Sequence, residues 1–157
     1  MIEPWARSDG VVTLRPPAPG DAAILIAGRD ADWERWLAPG DPEPRPTACI
    51  FVEDEIVGWV DAGTDQAWLQ PGEVNIGYNV FAGHRRTGYA SRAVQLLFEL
   101  LQEGGKVETA YLVIDGKNTA SLAVADSVAA EPIEPLAERD RPNQWFQIDL
   151  FSGPTPT

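Results

Sequence analysis

The sequence predicts an α/β (α+β) domain, a mixed sheet with helices packed on it, and three observations lead there. Glu73–Phe81 alternates Val74, Ile76, Tyr78 and Val80 with Glu73, Asn75, Gly77 and Asn79, the period-two pattern of a strand. Gly88–Glu103 puts Ala90, Ala93, Val94, Leu97, Phe98 and Leu101 at i, i+3, i+4, i+7, i+8 and i+11, one continuous apolar helix face. Strand-like and helix-like stretches then alternate on both sides of that junction, with turn formers between them.

In chain order, Val11–Arg15 reads as a first strand, closed by Pro16, Pro17, Pro19 and Gly20. Asp21–Arg29 reads as a short helix. Asp30–Leu37, carrying Trp33 and Trp36, reads as a second. Prolines and a glycine make Ala38–Pro46 a loop. Thr47–Val52, the acidic turn Glu53–Glu55 and Ile56–Ala62 form a hairpin pattern. Gly63–Gly72 is a polar loop holding Trp68 and Leu69. Gly77, inside the best strand, points to a bulge or a close backbone approach. Gly104–Gly105 stops the long helix. Val107–Ile114 reads as a buried strand, and Asn118 as the cap of a helix from Thr119 to Ala129. Pro132 and Pro135 break the next stretch, and Gln144–Phe151 closes the fold. The organisation is therefore an N-terminal segment 1–10, one domain over 11–151 and a flexible tail 152–157.

Bulk composition removes several functions. A length of 157 residues suits one core, and 44% hydrophobic with 23% charged residues is a globular balance. No apolar run of about 18 residues is present, and Met1–Gly10 lacks the layout of a signal peptide, so a cytoplasmic protein with no membrane partner is expected. Cys49 and His84 are each the only residue of their type, which excludes an intrachain disulfide and a Cys/His zinc site; no metal is expected. A Ser-His-Asp triad would need His84, and no serine lies in a nucleophile elbow. The net charge of −12 repels nucleic acid and attracts a cationic partner, although solubility alone also accounts for it.

The sharpest chemistry lies between the best strand and the best helix, in Ala82-Gly83-His84-Arg85-Arg86-Thr87-Gly88-Tyr89-Ala90-Ser91. A turn entering a helix leaves backbone N–H groups unpaired, and the helix dipole adds attraction for an anion. Gly88 and Ala90 let a phosphate approach the backbone, while Arg85 and Arg86 supply positive charge. The loop has neither the Gly-x-x-x-x-Gly-Lys-Ser/Thr run nor Gly-x-Gly-x-x-Gly. Its residues point to a phosphate or pyrophosphate site; a basic helix start that binds nothing is the alternative.

Arg85-Arg86-Thr87-Gly88-Tyr89-Ala90 resembles the Arg/Gln-x-x-Gly-x-Gly/Ala signature of the GNAT acetyltransferases. Ile76-Gly77-Tyr78 is similar to the Ile-Gly-Tyr-Trp segment of RimJ/RimL-like members, and Asn118-Thr119-Ala120-Ser121 to their Asn-x-x-Ser motif. Leu14-Arg15-Pro16 and Asp21-Ala22 resemble their opening strand and helix. The resemblance spans roughly residues 11–150. It implies a GNAT fold, with a mostly antiparallel mixed sheet of about six to seven strands and about four helices. It also implies acetyl-CoA as acyl donor, with its pyrophosphate on the amides of Arg85, Arg86, Thr87, Gly88, Tyr89 and Ala90 and its arm near Asn118. A RimJ/RimL-like N-acetyltransferase acting on a primary amine follows, whether a protein N-terminus or a small cationic amine. A non-catalytic acyl-CoA-binding or sensing module of the same fold is the alternative.

Further roles rest on the same resemblance. It implies direct transfer in a ternary complex, which leaves Cys49 a core residue. Glu73 is the candidate general base, and the backbone N–H of Val80 or Phe81 the donor to the oxyanion. Ser121 is the candidate proton donor to the thiolate, with Tyr111 and Tyr78 as alternatives. Relatives often carry Tyr where this chain has Ala125, Gly-Phe where it has Ala129-Ala130, and Pro where it has Ala82. Asn75 and Asn79 share the face of Glu73 and are candidates to orient substrate, as is Trp33. Asp30, Asp32 and Glu34 could receive a cationic amine. A homodimer is left open.

Overall fold

The protein is described by a computed structural model over residues 5–138 and 142–151, so the tail assigned to 152–157 lies outside the described residues. The described elements run β1 (Arg7–Ser8), β2 (Thr13–Arg15), α1 (Asp21–Ala27), α2 (Ala31–Trp36), β3 (Ala48–Val52), β4 (Glu55–Gly63), β5 (Glu73–Val80), α3 (Tyr89–Gly104), β6 (Thr109–Asp115), α4 (Thr119–Ser127), β7 (Glu131–Ile133) and β8 (Asn143–Asp149).

The strands form one sheet in the order β1-β2-β3-β4-β5-β6-β8-β7. β5 and β6 pair in parallel, whereas β1–β2, β2–β3, β3–β4, β6–β8 and β7–β8 pair antiparallel. The mixed α/β class is as expected. Among the described residues the sheet holds eight strands rather than six or seven, with four helices. The two shortest strands account for the difference. β1 lies inside the segment set aside as 1–10 and turns back onto β2 through Gly10 at φ 93, where Asp9 Oδ1 accepts from the amides of Val11 and Val12. β7 contains Pro132, which reads as a breaker. It sits at the sheet edge, where a missing N–H costs no ladder bond.

Contacts divide the chain into two units, Met1–Asp61 with Tyr78–Leu97, and Ala62–Gly77 with Phe98–Thr157. In the first, Leu14, Leu25, Ile50, Val57 and Leu97 are fully buried, each side chain contributing about 1.5–3 kcal/mol. Asp30 caps α2, its Oδ1 accepting from Trp33 N at 3.0 Å. In the second, Ala110, Leu112 and Ala125 are fully buried and Trp145 nearly so. Asn118 caps α4 there, its Oδ1 accepting from Ser121 N at 3.2 Å. The long-helix face is buried at Ala93, Val94, Leu97 and Phe98, as its spacing predicts. No helix among the described residues is long and apolar enough to cross a membrane.

Candidate active site

In the first unit, the turn after β5 is shaped by its own backbone. His84 N donates to Phe81 O at 3.1 Å, with Gly83 at φ 90 making that reversal possible. Thr87 Oγ1 donates to His84 O at 2.6 Å and accepts from Tyr89 N at 3.4 Å, tying the turn to the start of α3. Arg86 at φ 61 and Gly88 at φ 82 are both left-handed. Left-handed residues within a turn aim neighbouring N–H groups to one side and make anion-binding concavities. A side chain at Gly88 would meet no heavy atom within 4 Å, so the space over this glycine is open. Arg86, Thr87 and Gly88 are exposed, and Tyr89 and Ala90 half-buried.

The two arginines differ. Arg86 is solvent-facing. Arg85 turns inward: Nε donates to Val80 O at 2.8 Å, Nη1 to Asp30 Oδ2 at 2.8 Å and Asp32 Oδ2 at 3.0 Å, and Nη2 to Asp30 Oδ1 at 3.1 Å. The Arg85 guanidinium holds the Asp30 carboxyl below its ordinary 3.8, helped by the Trp33 amide and opposed by partial burial. This corrects two expectations. The positive charge of Arg85 is matched within the protein, and Asp30 is taken up by Arg85 and the α2 cap, while Asp32 gives Arg85 one oxygen and stays largely exposed.

Two more expectations change in this unit. Phe81 N donates to Val57 O at 2.8 Å, so this amide is spent on the sheet and is no oxyanion donor. Trp33 is 6% exposed, packs against Gly40 and carries the Arg29 guanidinium 4.2 Å from its ring centroid, so it is core and has no face for substrate. Asn79 is buried, and its Nδ2 has no hydrogen-bond partner. Its backbone carbonyl runs close over Gly58, where any Cβ would collide. Cys49 is fully buried beside Asp21; burial above all, and then that carboxylate, push its thiol up to about 12. Such a thiol is no nucleophile at neutral pH.

In the second unit, Glu73 opens β5 with both carboxylate oxygens engaged. Oε1 accepts from Gln70 N at 2.9 Å and Oε2 from the Tyr111 hydroxyl at 2.8 Å. The parallel register sets Glu73 beside Thr109 and Asn75 beside Tyr111, bringing the phenol to the carboxylate. Burial first, and then Glu73, push the Tyr111 phenol up to about 12. Trp68 meets the Tyr111 ring edge-on at 5.3 Å and Trp145 at 4.8 Å, so it is packed rather than loose in its loop. Trp68 Nε1 and Asn75 Oδ1 are buried without partners. Sequence reading missed the Glu73–Tyr111 pair; the strand register that creates it links residues 38 apart. Asn118 commits its Oδ1 to Ser121 N, which explains the Asn-x-x-Ser spacing as a helix cap and leaves the amide NH2 end as the donor. Ser121 is the third residue of α4, and Ala125 is fully buried, so no acid stands at that position. No cluster of His, Cys, Asp and Glu suited to a metal occurs among the described residues.

A sequence profile described as "Acetyltransferase (GNAT) domain" matches residues 12–130. The chain belongs to the GNAT acetyltransferase family. It is thus an acetyltransferase by family, and the resemblance to that family is borne out. No curated protein matches it by sequence. Among solved structures, RimL, the ribosomal L7/L12 α-N-protein acetyltransferase, is similar with a TM-score of 0.76 at 16% identity over 93% of this chain and 94% of that one. RimJ of Mycobacterium smegmatis, solved with a CoA disulfide, is similar at 0.71 and 21% identity over 94% and 86%. The microcin C7 self-immunity acetyltransferase MccE, solved with acetyl-CoA and AMP, is similar at 0.71 and 15% identity over 90% and 93%. At these identities the likeness shows the GNAT fold.

Proposed function

We propose that this GNAT chain takes an acetyl group from acetyl-CoA and transfers it directly to a primary amine, either a protein N-terminus or a small amine. The observation that carries the donor assignment is the open Gly88 between left-handed Arg86 and the start of α3. Those residues fit a pyrophosphate: exposed backbone, a free approach, and the solvent-facing charge of Arg86. CoA or acetyl-CoA accompanies the RimL, RimJ and MccE structures. The amides of Arg86, Thr87, Gly88 and Ala90 are the proposed holders of the phosphates, with Tyr89 N tied to Thr87 Oγ1, and the Asn118 NH2 group is a proposed donor to the cofactor arm. Arg85 belongs to this loop through its backbone only.

Acetyl-CoA supplies a thioester, whose acetyl carbon is open to attack by a neutral amine. The chain's task is to take the amine's proton and to polarise the acetyl carbonyl. Glu73 is the proposed base: each of its oxygens accepts one hydrogen bond and keeps a lone pair. With Phe81 N excluded, Val80 N–H is the proposed donor to the carbonyl oxygen, a role worth about 3 kcal/mol. A buried, protonated Cys49 supports transfer without an acyl-enzyme. Ser121 keeps its place as the proposed donor to the departing thiolate.

Calorimetry with acetyl-CoA, followed by a thiol-release assay over a panel of peptides and small amines, tests this reading. Heat of binding and amine-dependent thiol release are expected. Binding without release for any amine would leave a CoA-binding module in place of an enzyme, and no heat at millimolar ligand would end both readings.

A further inference from the structure

We infer that Tyr111 is a positioning residue for the reaction, a phenol that fixes the Glu73 carboxylate from the neighbouring strand; this rests on Glu73 acting as the base. Three features of the second unit lead here. First, the hydroxyl donates to Glu73 Oε2 at 2.8 Å while the Gln70 amide donates to Oε1 at 2.9 Å, so the carboxylate is held from both sides by neutral donors. A glutamate with three free torsions is thereby reduced to one orientation, as a base that must meet its proton within hydrogen-bond reach requires. Secondly, Tyr111 is itself closely packed. It is buried on β6, and Trp68, which also packs on Trp145, lies edge-on against its ring. Thirdly, the phenol keeps its proton at any pH used for amine acetylation, since burial and Glu73 raise it to about 12. Tyr111 therefore stands as a protonated donor to Glu73.

Two other acidic residues neighbour this part of the sheet. Asp149 lies in the same row, opposite Thr109, which is the register partner of Glu73, and Glu108 sits beside Gly72. When Glu73 takes the proton leaving the amine nitrogen, an N–H bond breaks and an O–H bond forms, and the Tyr111 hydroxyl stays intact.

The test compares Tyr111→Phe with Glu73→Gln in the full chain. Phenylalanine keeps the ring against Trp68, so acetyl-CoA affinity is expected to stay within about twofold of wild type. Loss of orientation is expected to lower kcat about tenfold, and the acid limb of the kcat/KM profile is expected to move to higher pH. A purely structural role would change neither the limb nor kcat apart from KM. As a readout independent of activity, ultraviolet titration should show one tyrosine ionising at lower pH in Glu73→Gln than in wild type. Full kcat and an unmoved limb in Tyr111→Phe, with Glu73→Gln impaired, overturn the inference and spare the base. Full activity in Glu73→Gln overturns the base assignment itself.

Discussion

Arg85 and Glu73 are both charged residues that the sequence assigns to the site, one to the cofactor and one to the reaction, and both are held by the protein, but in opposite ways. Arg85 meets Asp30 and Asp32, two opposite charges, and its field is cancelled where it sits. Glu73 meets a phenol and an amide, neutral donors that fix its direction and leave its charge intact. An ion pair withdraws a side chain from ligand binding, whereas dipolar partners prepare one for chemistry. The proposed anion loop therefore relies on backbone and Arg86, and the proposed base on a side chain.

The largest expected effect falls on the loop. Gly88→Glu places bulk and negative charge in the open space and forces a non-glycine residue to φ 82; acetyl-CoA affinity should fall by more than about a hundredfold in calorimetry. Unchanged affinity would remove the phosphates from this turn. Glu73→Gln comes next. Its kcat should drop about a hundredfold, the ordinary worth of a general base, with acetyl-CoA binding intact. Loss of cofactor binding instead would mean that Glu73 holds the fold.

Smaller effects sharpen the contrast between the arginines. Arg86→Ala should weaken acetyl-CoA about tenfold and flatten the salt dependence of binding, as removal of one exposed phosphate contact does. Arg85→Ala should weaken it about two- to threefold at most, while lowering Tm by about 2–4 °C for each kcal/mol of lost pairing. Its pH dependence has a definite sign. Asp30 is held below 3.8 in the folded state, so the pair stabilises the fold above that value and its contribution disappears as pH falls through the lowered one. The Tm gap between wild type and Arg85→Ala should be full at pH 7 and close in acid, as thermal melts at both ends will show. An equal salt-dependent loss of affinity in both variants would erase the distinction.

Much of the frame was legible in the chain. The alternation of β5 and the apolar face of α3 are local patterns with one period each, and the turn between them is spelled by Gly83 and Gly88. The Asn118 cap follows from a side chain three residues from its partner. Where local rules misled, a tertiary neighbour overrode them. Pro132 stands in a strand because it lies at a sheet edge, and Trp33 joined the core because Gly40 and Arg29 close over it. Phe81 N is spent because β4 runs alongside.

The sequence by itself determined the turn between β5 and α3, the order of the longer elements and the family, since these depend on residues adjacent in the chain. The tertiary structure alone decided which charges remain available. Asp30 lies 55 residues from Arg85, and Tyr111 lies 38 from Glu73. Hydrogen bonds and ion pairs act over about 3 Å of space, and separation along the chain places no limit on them until the strands and helices are in register.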